Sequence, residues 1–162
     1  MKELAQDLIR ELFDYQDGQL LWKQKPNRKI VVGSKAGRPK SNGYEVITIN
    51  GSVYLSHRLV FLWHHGYLPE YIDHIDGNKT NNRIENLREC SLSQNQCNKK
   101  IGRNNTSGYK GVYFSNQNGK WQVAIQYQGR KYHGGLFDDV HQAGDAAEKL
   151  RSSIHKEFSR NI

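Results

Sequence analysis

A polar stretch, Lys99 to Ser107 (KKIGRNNTS), limits what this chain can fold into. It holds one apolar residue, Ile101, among loop-forming Gly and Asn. A boundary there divides the 162 residues into 1–103 and 104–162. Neither piece can build a large core, since about 60 residues is already marginal for an independent domain. The expectation is therefore two small α+β modules. No apolar run is long enough for a membrane span. Met1 to Tyr15 alternates charge with Leu, which is not a secretory signal pattern. Two cysteines, Cys90 and Cys97, exclude a disulfide-dense scaffold and a four-cysteine zinc site.

Charge is distributed unevenly. The chain carries 24 basic and 16 acidic residues, net +8. Residues 1–103 are net +5 and residues 104–162 net +3. Between Gly18 and Tyr44 there are seven bases and no acid: Lys23, Lys25, Arg28, Lys29, Lys35, Arg38 and Lys40. Between Cys90 and Phe137 there are again seven and none: Lys99, Lys100, Arg103, Lys110, Lys120, Arg130 and Lys131. A solvated surface mixes signs, so two acid-free windows read as phosphate-facing surface, where each base that neutralises a phosphate releases a counterion.

In the first piece, Leu4, Leu8 and Leu12 recur at four, with Ile9 and Phe13 widening the stripe, and predict a helix. Asp17-Gly18 is a turn, and Gln19 to Lys23 a short strand. Asn50-Gly51 signals a hairpin between Tyr44–Ile49 and Ser52–Leu55. His57 to His65 reads as a helix stopped by Gly66. His64 and His65 read as helix-end residues, while His57 reads either as a buried helix-start histidine or as a site residue.

Tyr71 to Lys99 carries the chemistry. Its order is strand, long loop, strand, helix. Asp73-His74 ends the first strand, and Asn86 precedes the second, Leu87 to Cys90. Asn95 lies in a helix whose start has a capping box, Ser91 with Gln94 three residues on. In such a unit the Asp73 carboxylate and the Asn95 amide oxygen can converge on one cation. Hard oxygen ligands suit Mg²⁺ or Mn²⁺ rather than zinc. A neighbouring neutral His can take a proton from water. These are the parts needed to hydrolyse a phosphodiester. Asp76-Gly77 and Asn81-Asn82 read as turn residues filling the loop.

His57-Arg58-Leu59, Asp73-His74-Ile75-Asp76-Gly77-Asn78, Asn81-Asn82-Arg83-Ile84-Glu85-Asn86-Leu87-Arg88 and Asn95 together resemble the HNH endonucleases, nearest to the small phage and intron-encoded kind. The resemblance covers about residues 44–99. It implies a ββα-metal finger over about 71–100 that holds one divalent ion, Mg²⁺ with Mn²⁺ as a substitute, against the scissile phosphate. It makes His74 the general base, Asp73 and Asn95 metal ligands, and Asn86 the residue bracing the base and the loop. Asn98 lies on a similar helix face and is the alternative ligand. Paired Cys-x-x-Cys motifs found in some members are missing from this sequence.

In the second piece, Gly108–Ser115, Lys120–Tyr127 and Arg130–Leu136 read as three strands, with Asn118-Gly119 and Gln128-Gly129 as turns. Trp121, Val123, Ile125 and Tyr127 share one parity, and Lys120, Gln122, Ala124 and Gln126 the other. A helix from about Asp139, with Ala143, Ala147, Leu150 and Ile154 at helical spacing, covers the apolar face. Ser107-Gly108-Tyr109-Lys110-Gly111-Val112, Gly119-Lys120-Trp121, Gly135-Leu136-Phe137 and the Ala-rich helix resemble the DNA-binding domain of plant ethylene-response-factor (Apetala-type) regulators. That resemblance implies a sheet lying in the DNA major groove. It places Lys110, Tyr113, Lys120, Gln122, Gln126, Lys131 and His133 against the DNA, and Arg38 and Lys40 add phosphate contacts from the first basic window. Tyr113, Gln126, Lys131 and His133 stand where that family usually has Arg or Trp, so its target sequence does not carry over.

Together the resemblances imply a site-specific, homing-type phage endonuclease, a hydrolase cutting double-stranded DNA as a monomer or weak dimer. It would act in the cytoplasm of a bacterial host, without membrane association. The alternative is a DNA-binding regulator with an inactive finger. An RNA-processing nuclease and an unspecific defence or packaging nuclease are further alternatives.

Overall fold

The structure is a computed structural model that describes residues 4–97, 101–102 and 104–155. Asn98, Lys99, Lys100 and Arg103 lie outside the described residues. Contacts divide the chain after Cys90, into Met1–Cys90 and Ser91–Ile162. The polar linker had placed a boundary after Arg103; the contacts place one where a strand ladder ends.

The first unit opens with helix α1, Gln6–Leu12, whose inner residue Ile9 is fully buried. The apolar stripe predicts helix through Phe13, yet the chain turns extended there (φ −136°, ψ 143°). Strand β1, Phe13–Gln16, alternates inward Phe13 and Tyr15 with outward Asp14 and Gln16, and this period of two prevails. It pairs antiparallel with β2, Gln19–Trp22, across Asp17 and Gly18. Both turn residues have positive φ, 48° and 86°, as a tight two-residue hairpin requires. A second sheet follows: β3 (Arg38–Pro39), β4 (Glu45–Ile49) and β5 (Ser52–Leu55), in that order and antiparallel. Helix α2, Ser56–His65, starts directly after β5 and ends at Gly66, whose N–H donates to the Leu62 carbonyl. Strand β6, Tyr71–His74, then pairs antiparallel with β7, Leu87–Cys90. One core joins these pieces through Ile9, Phe13, Leu20, Trp22, Ile47, Leu59, Leu62, Ile72 and Leu87.

The second unit begins with α3, Leu92–Cys97. Its capping box forms as read: the Gln94 N–H donates to Ser91 Oγ at 3.2 Å, and the Ser91 N–H to Gln94 Oε1 at 2.7 Å. Strands β8 (Val112–Ser115), β9 (Lys120–Tyr127) and β10 (Arg130–Phe137) form an antiparallel sheet with β9 in the middle. The first strand starts at Val112 rather than Gly108. Ser107 folds the residues before it into a turn, its Oγ donating to the Tyr109 and Val112 carbonyls, with Gly108 and Gly111 at positive φ. Helix α4, Val140–His155, lies over the sheet, with Val112, Val123, Ala143 and Ala147 as the shared core.

Gly134 marks a bulge in β10. A Cβ there would sit 2.5 Å from Val123 Cγ1 and 2.9 Å from Val123 Cβ, and Val123 is fully buried. Gly134→Ala is expected to destabilise the second unit by about 1–3 kcal/mol, the usual cost of overpacking. Urea denaturation followed by tryptophan fluorescence checks this; Gly102→Ala, where φ is not positive and a Cβ meets nothing within 4 Å, is the comparison.

Candidate active site

His74 is the last residue of β6 and Asp73 the one before it; each is 5% exposed. Successive side chains on a strand point to opposite faces, so the two lie on opposite sides of the ladder. Register puts Asp73 opposite Arg88 and His74 opposite Leu87. Arg88 uses the adjacency: its Nε and Nη2 both donate to Asp73 Oδ2, at 3.1 and 3.0 Å. A buried carboxylate needs such a partner.

The His74 imidazole packs edge-on against His57, with ring centroids 4.9 Å apart, and near Tyr44, at 6.1 Å. Its Nε2 is 3.0 Å from Oδ1 of Asn82, which is 2% exposed. An amide oxygen only accepts, so Nε2 carries a proton in this contact. Asn82, read from sequence as loop filler, thus holds the imidazole. Asn86 holds the loop instead. Its Oδ1 accepts from the Asp76 N–H at 3.0 Å, and its Nδ2 donates to Asp76 Oδ1 and the Asn81 carbonyl at 3.0 and 2.8 Å. Burial would raise the Asp76 carboxyl, but hydrogen bonds from Asn81, the Asn78 N–H and Asn86 outweigh it and hold the group below its usual range.

Two neighbours set the electrostatics. Burial first, then the charges of His74 and Arg58, push His57 down to about 3, so it stays neutral beside His74. Burial, then the Asp73 charge, raises the Tyr44 hydroxyl. Lys79 reaches back over Tyr44, its Nζ 4.6 Å from the ring centroid and donating to the Asn42 carbonyl at 3.0 Å. Arg38 and Lys40 are exposed on the same stretch that leads into Tyr44. Not every base of that window faces solvent unpaired: Lys35 meets Glu45 at 2.6 Å and Lys23 meets Asp14 at 3.5 Å.

Asn95 lies on α3, partly exposed, its N–H donating to the Ser91 carbonyl at 2.9 Å. Among the described residues no group of three or more His, Cys, Asp or Glu is gathered for a metal. In the first unit the Asp73 carboxylate is a hard oxygen donor, which suits a hard divalent cation. Burial, then the Asp73 charge, pushes the Cys90 thiol up to about 11.

In the second unit, Tyr113, Lys120, Gln122, Gln126, Lys131 and His133 share the face of the sheet away from α4, by register and alternation. Lys131 Nζ lies 6.0 Å from the Tyr113 ring centroid, and Lys120 pairs with Asp138 at 3.1 Å. Lys110 is not on that face. It belongs to the turn before β8, and its carbonyl accepts from Arg151 Nη1 at 2.6 Å.

Asn82, Arg88, Tyr44 and Lys79 carried no site assignment from sequence. Arg88 was the most accessible, because pairing 71–74 with 87–90 fixes its place opposite Asp73. The other three depend on tertiary packing.

A buried histidine beside an acid stands at the end of a two-stranded ladder, and comparison with known proteins places it in a family. Residues 54–97 match the HNH endonuclease family, so this stretch is an HNH endonuclease-type domain, which indicates a nuclease. The chain is also 34% identical over 97 residues to Protein 3.8 of Escherichia phage T7, covering 59% of this chain and 79% of that protein. It belongs to the same family as that phage protein. No solved structure gives a significant match.

His57 makes stability depend on pH. The unfolded chain takes up a proton as pH falls through the usual 6.5, the folded one only near 3. Stability is therefore expected to fall as pH drops through that window, by up to about 1.4 kcal/mol per pH unit. Urea midpoints across the window, for wild type and His57→Phe, check this; the variant is expected to show the shallower slope.

Proposed function

We propose that the chain is a metal-dependent DNA endonuclease. The observation that carries this is His74, buried at the end of β6 beside Asp73, with its Nε2 held by Asn82. His74 takes a proton from the attacking water. The water oxygen bonds to phosphorus, the bond to the 3′ oxygen breaks, and that oxygen leaves with a proton from solvent. The products are a 5′-phosphate and a 3′-hydroxyl. Asp73 and Asn95 are the residues that would hold Mg²⁺, or Mn²⁺ in its place. When bound, such an ion stabilises charge on the phosphate and the leaving oxygen. Asn86 and Asp76 keep the loop after the base in shape. Lys79, Lys40 and Arg38 supply cations for the DNA backbone beside it.

On this reading residues 1–103 form the nuclease domain and 104–162 an ethylene-response-factor-like anchor. A three-stranded sheet fits a major groove, and Gln and Lys side chains can read base edges there. Tyr113, Lys120, Gln122, Gln126, Lys131 and His133 face the duplex. The enzyme is of the homing type and acts in the bacterial cytoplasm during phage infection, as a monomer or weak dimer. Among the described residues no helix is long and apolar enough to cross a membrane.

One observation favours a second reading, a regulator with an inactive finger: Arg88 already pairs with the Asp73 carboxylate through Oδ2. Metal dependence separates the two. The nuclease reading expects Mg²⁺ or Mn²⁺ to support nicking or linearisation of supercoiled DNA, EDTA to abolish it, and Asp73→Asn to raise the metal concentration required. An inactive finger binds DNA and cuts under none of these conditions. Binding is expected to weaken steeply with salt, and Lys131→Ala to lower the slope of log K against log salt by about one. Fluorescence anisotropy on a duplex at several salt concentrations measures it.

A further inference from the structure

We propose that Asn82 is the positioning residue for His74, and that the β1–β2 hairpin holds Asn82 in place. The proposal rests on the reading of His74 as general base. Asn82 is 2% exposed and its Oδ1 is 3.0 Å from His74 Nε2. Burying an imidazole N–H without an acceptor is costly, so this contact fixes the ring's orientation and keeps a proton on Nε2.

The hairpin meets the segment around Asn82 from below. At Gly18, in the β1–β2 turn, a Cβ would lie 2.7 Å from the Arg83 nitrogen and 3.0 Å from the Asn82 carbonyl carbon. The turn therefore rests directly on the Asn82–Arg83 peptide. Tyr15 Oη accepts from the Ile84 N–H at 3.1 Å, and Arg83 reaches Asp17 at 3.5 Å. The hairpin is itself anchored to α2. Tyr15 stacks edge-on with His64 at 4.4 Å, and Trp63 Nε1 donates to the Phe13 carbonyl at 3.2 Å. A contact chain runs from α2 through β1 and the Gly18 turn to Asn82 and the base. It gives the N-terminal segment a part in the chemistry.

Gly18 and Gly51 make a controlled pair. Both are second residues of two-residue turns at nearly equal φ, +86° and +80°, so alanine brings similar backbone strain to each. A Cβ at Gly51 meets nothing within 4 Å, whereas one at Gly18 must displace the Asn82 segment.

The test uses the full-length chain. Long-range ¹⁵N correlation NMR, at a pH where the imidazoles are neutral and with His74→Ala to assign the signal, reads the tautomer. Wild type is expected to hold the Nε2–H form. Asn82→Leu is expected to lose that pure state and about ten- to a hundredfold of kcat, the usual cost of removing such a supporting partner, with DNA affinity unchanged. Asn82→Asp keeps an acceptor and is expected to keep the Nε2–H form. Gly18→Ala is expected to lower kcat severalfold more than Gly51→Ala. A folded Asn82→Leu that keeps both tautomer and rate overturns the proposal. If Asn82→Leu does not fold, the glycine pair decides: equal rates in the two variants overturn it. If wild type cuts no DNA with any metal, the nuclease reading fails, while the tautomer comparison still decides whether Asn82 orients His74.

Discussion

The candidate site depends on keeping two polar side chains, Asp73 and His74, out of water at the end of a ladder only four residues long. A strand pair of that length is marginal by itself. It persists here because Ile72 and Leu87 join the core that α1, α2 and the first two sheets build. Burial then raises the penalty for any unsatisfied polar atom. Each buried group accordingly has a dedicated partner: Arg88 on Asp73 and Asn82 on His74. The same burial that demands these partners keeps the neighbouring His57 uncharged.

Much of the first unit was legible because local signals agreed with tertiary ones. Asn50-Gly51 forms the turn its dipeptide predicts, and Gly66 ends α2. Leu87–Cys90 lies where the sequence places it, as does the Ser91/Gln94 capping box at the start of the second unit. What sequence did not give has specific causes. Phe13 extends the helical stripe, but it also begins an alternating pattern, and pairing with β2 decided the matter. Asn81 and Asn82 read alike as turn residues. Only packing against Gly18 and His74 separates the buried one from the loop one. Lys110 was expected on the sheet face because strand was expected from Gly108; the Ser107 turn removes it.

Charge tells a similar story. The acid-free windows are real in sequence, yet acids from elsewhere in the chain answer some of their bases, as Glu45 does Lys35 and Asp138 does Lys120. Such pairs are exposed on the lysine side and worth little, so a phosphate can displace them. The bases that bear most on the site are those brought beside Tyr44: Lys79 by its contacts with the ring and Asn42, and Lys40 by the short turn it makes with Tyr44. Lys79 stands outside both windows, and only the fold brings it there.

The central claim is that His74 takes the proton in phosphodiester hydrolysis. The direct measurement compares wild type with His74→Ala on supercoiled phage-derived and plasmid DNA, with Mg²⁺ present and DNA affinity measured in parallel. The account predicts that the variant binds as tightly as wild type and cuts at least a hundredfold more slowly, the scale of a lost general base. A variant that cuts at the wild-type rate would contradict it.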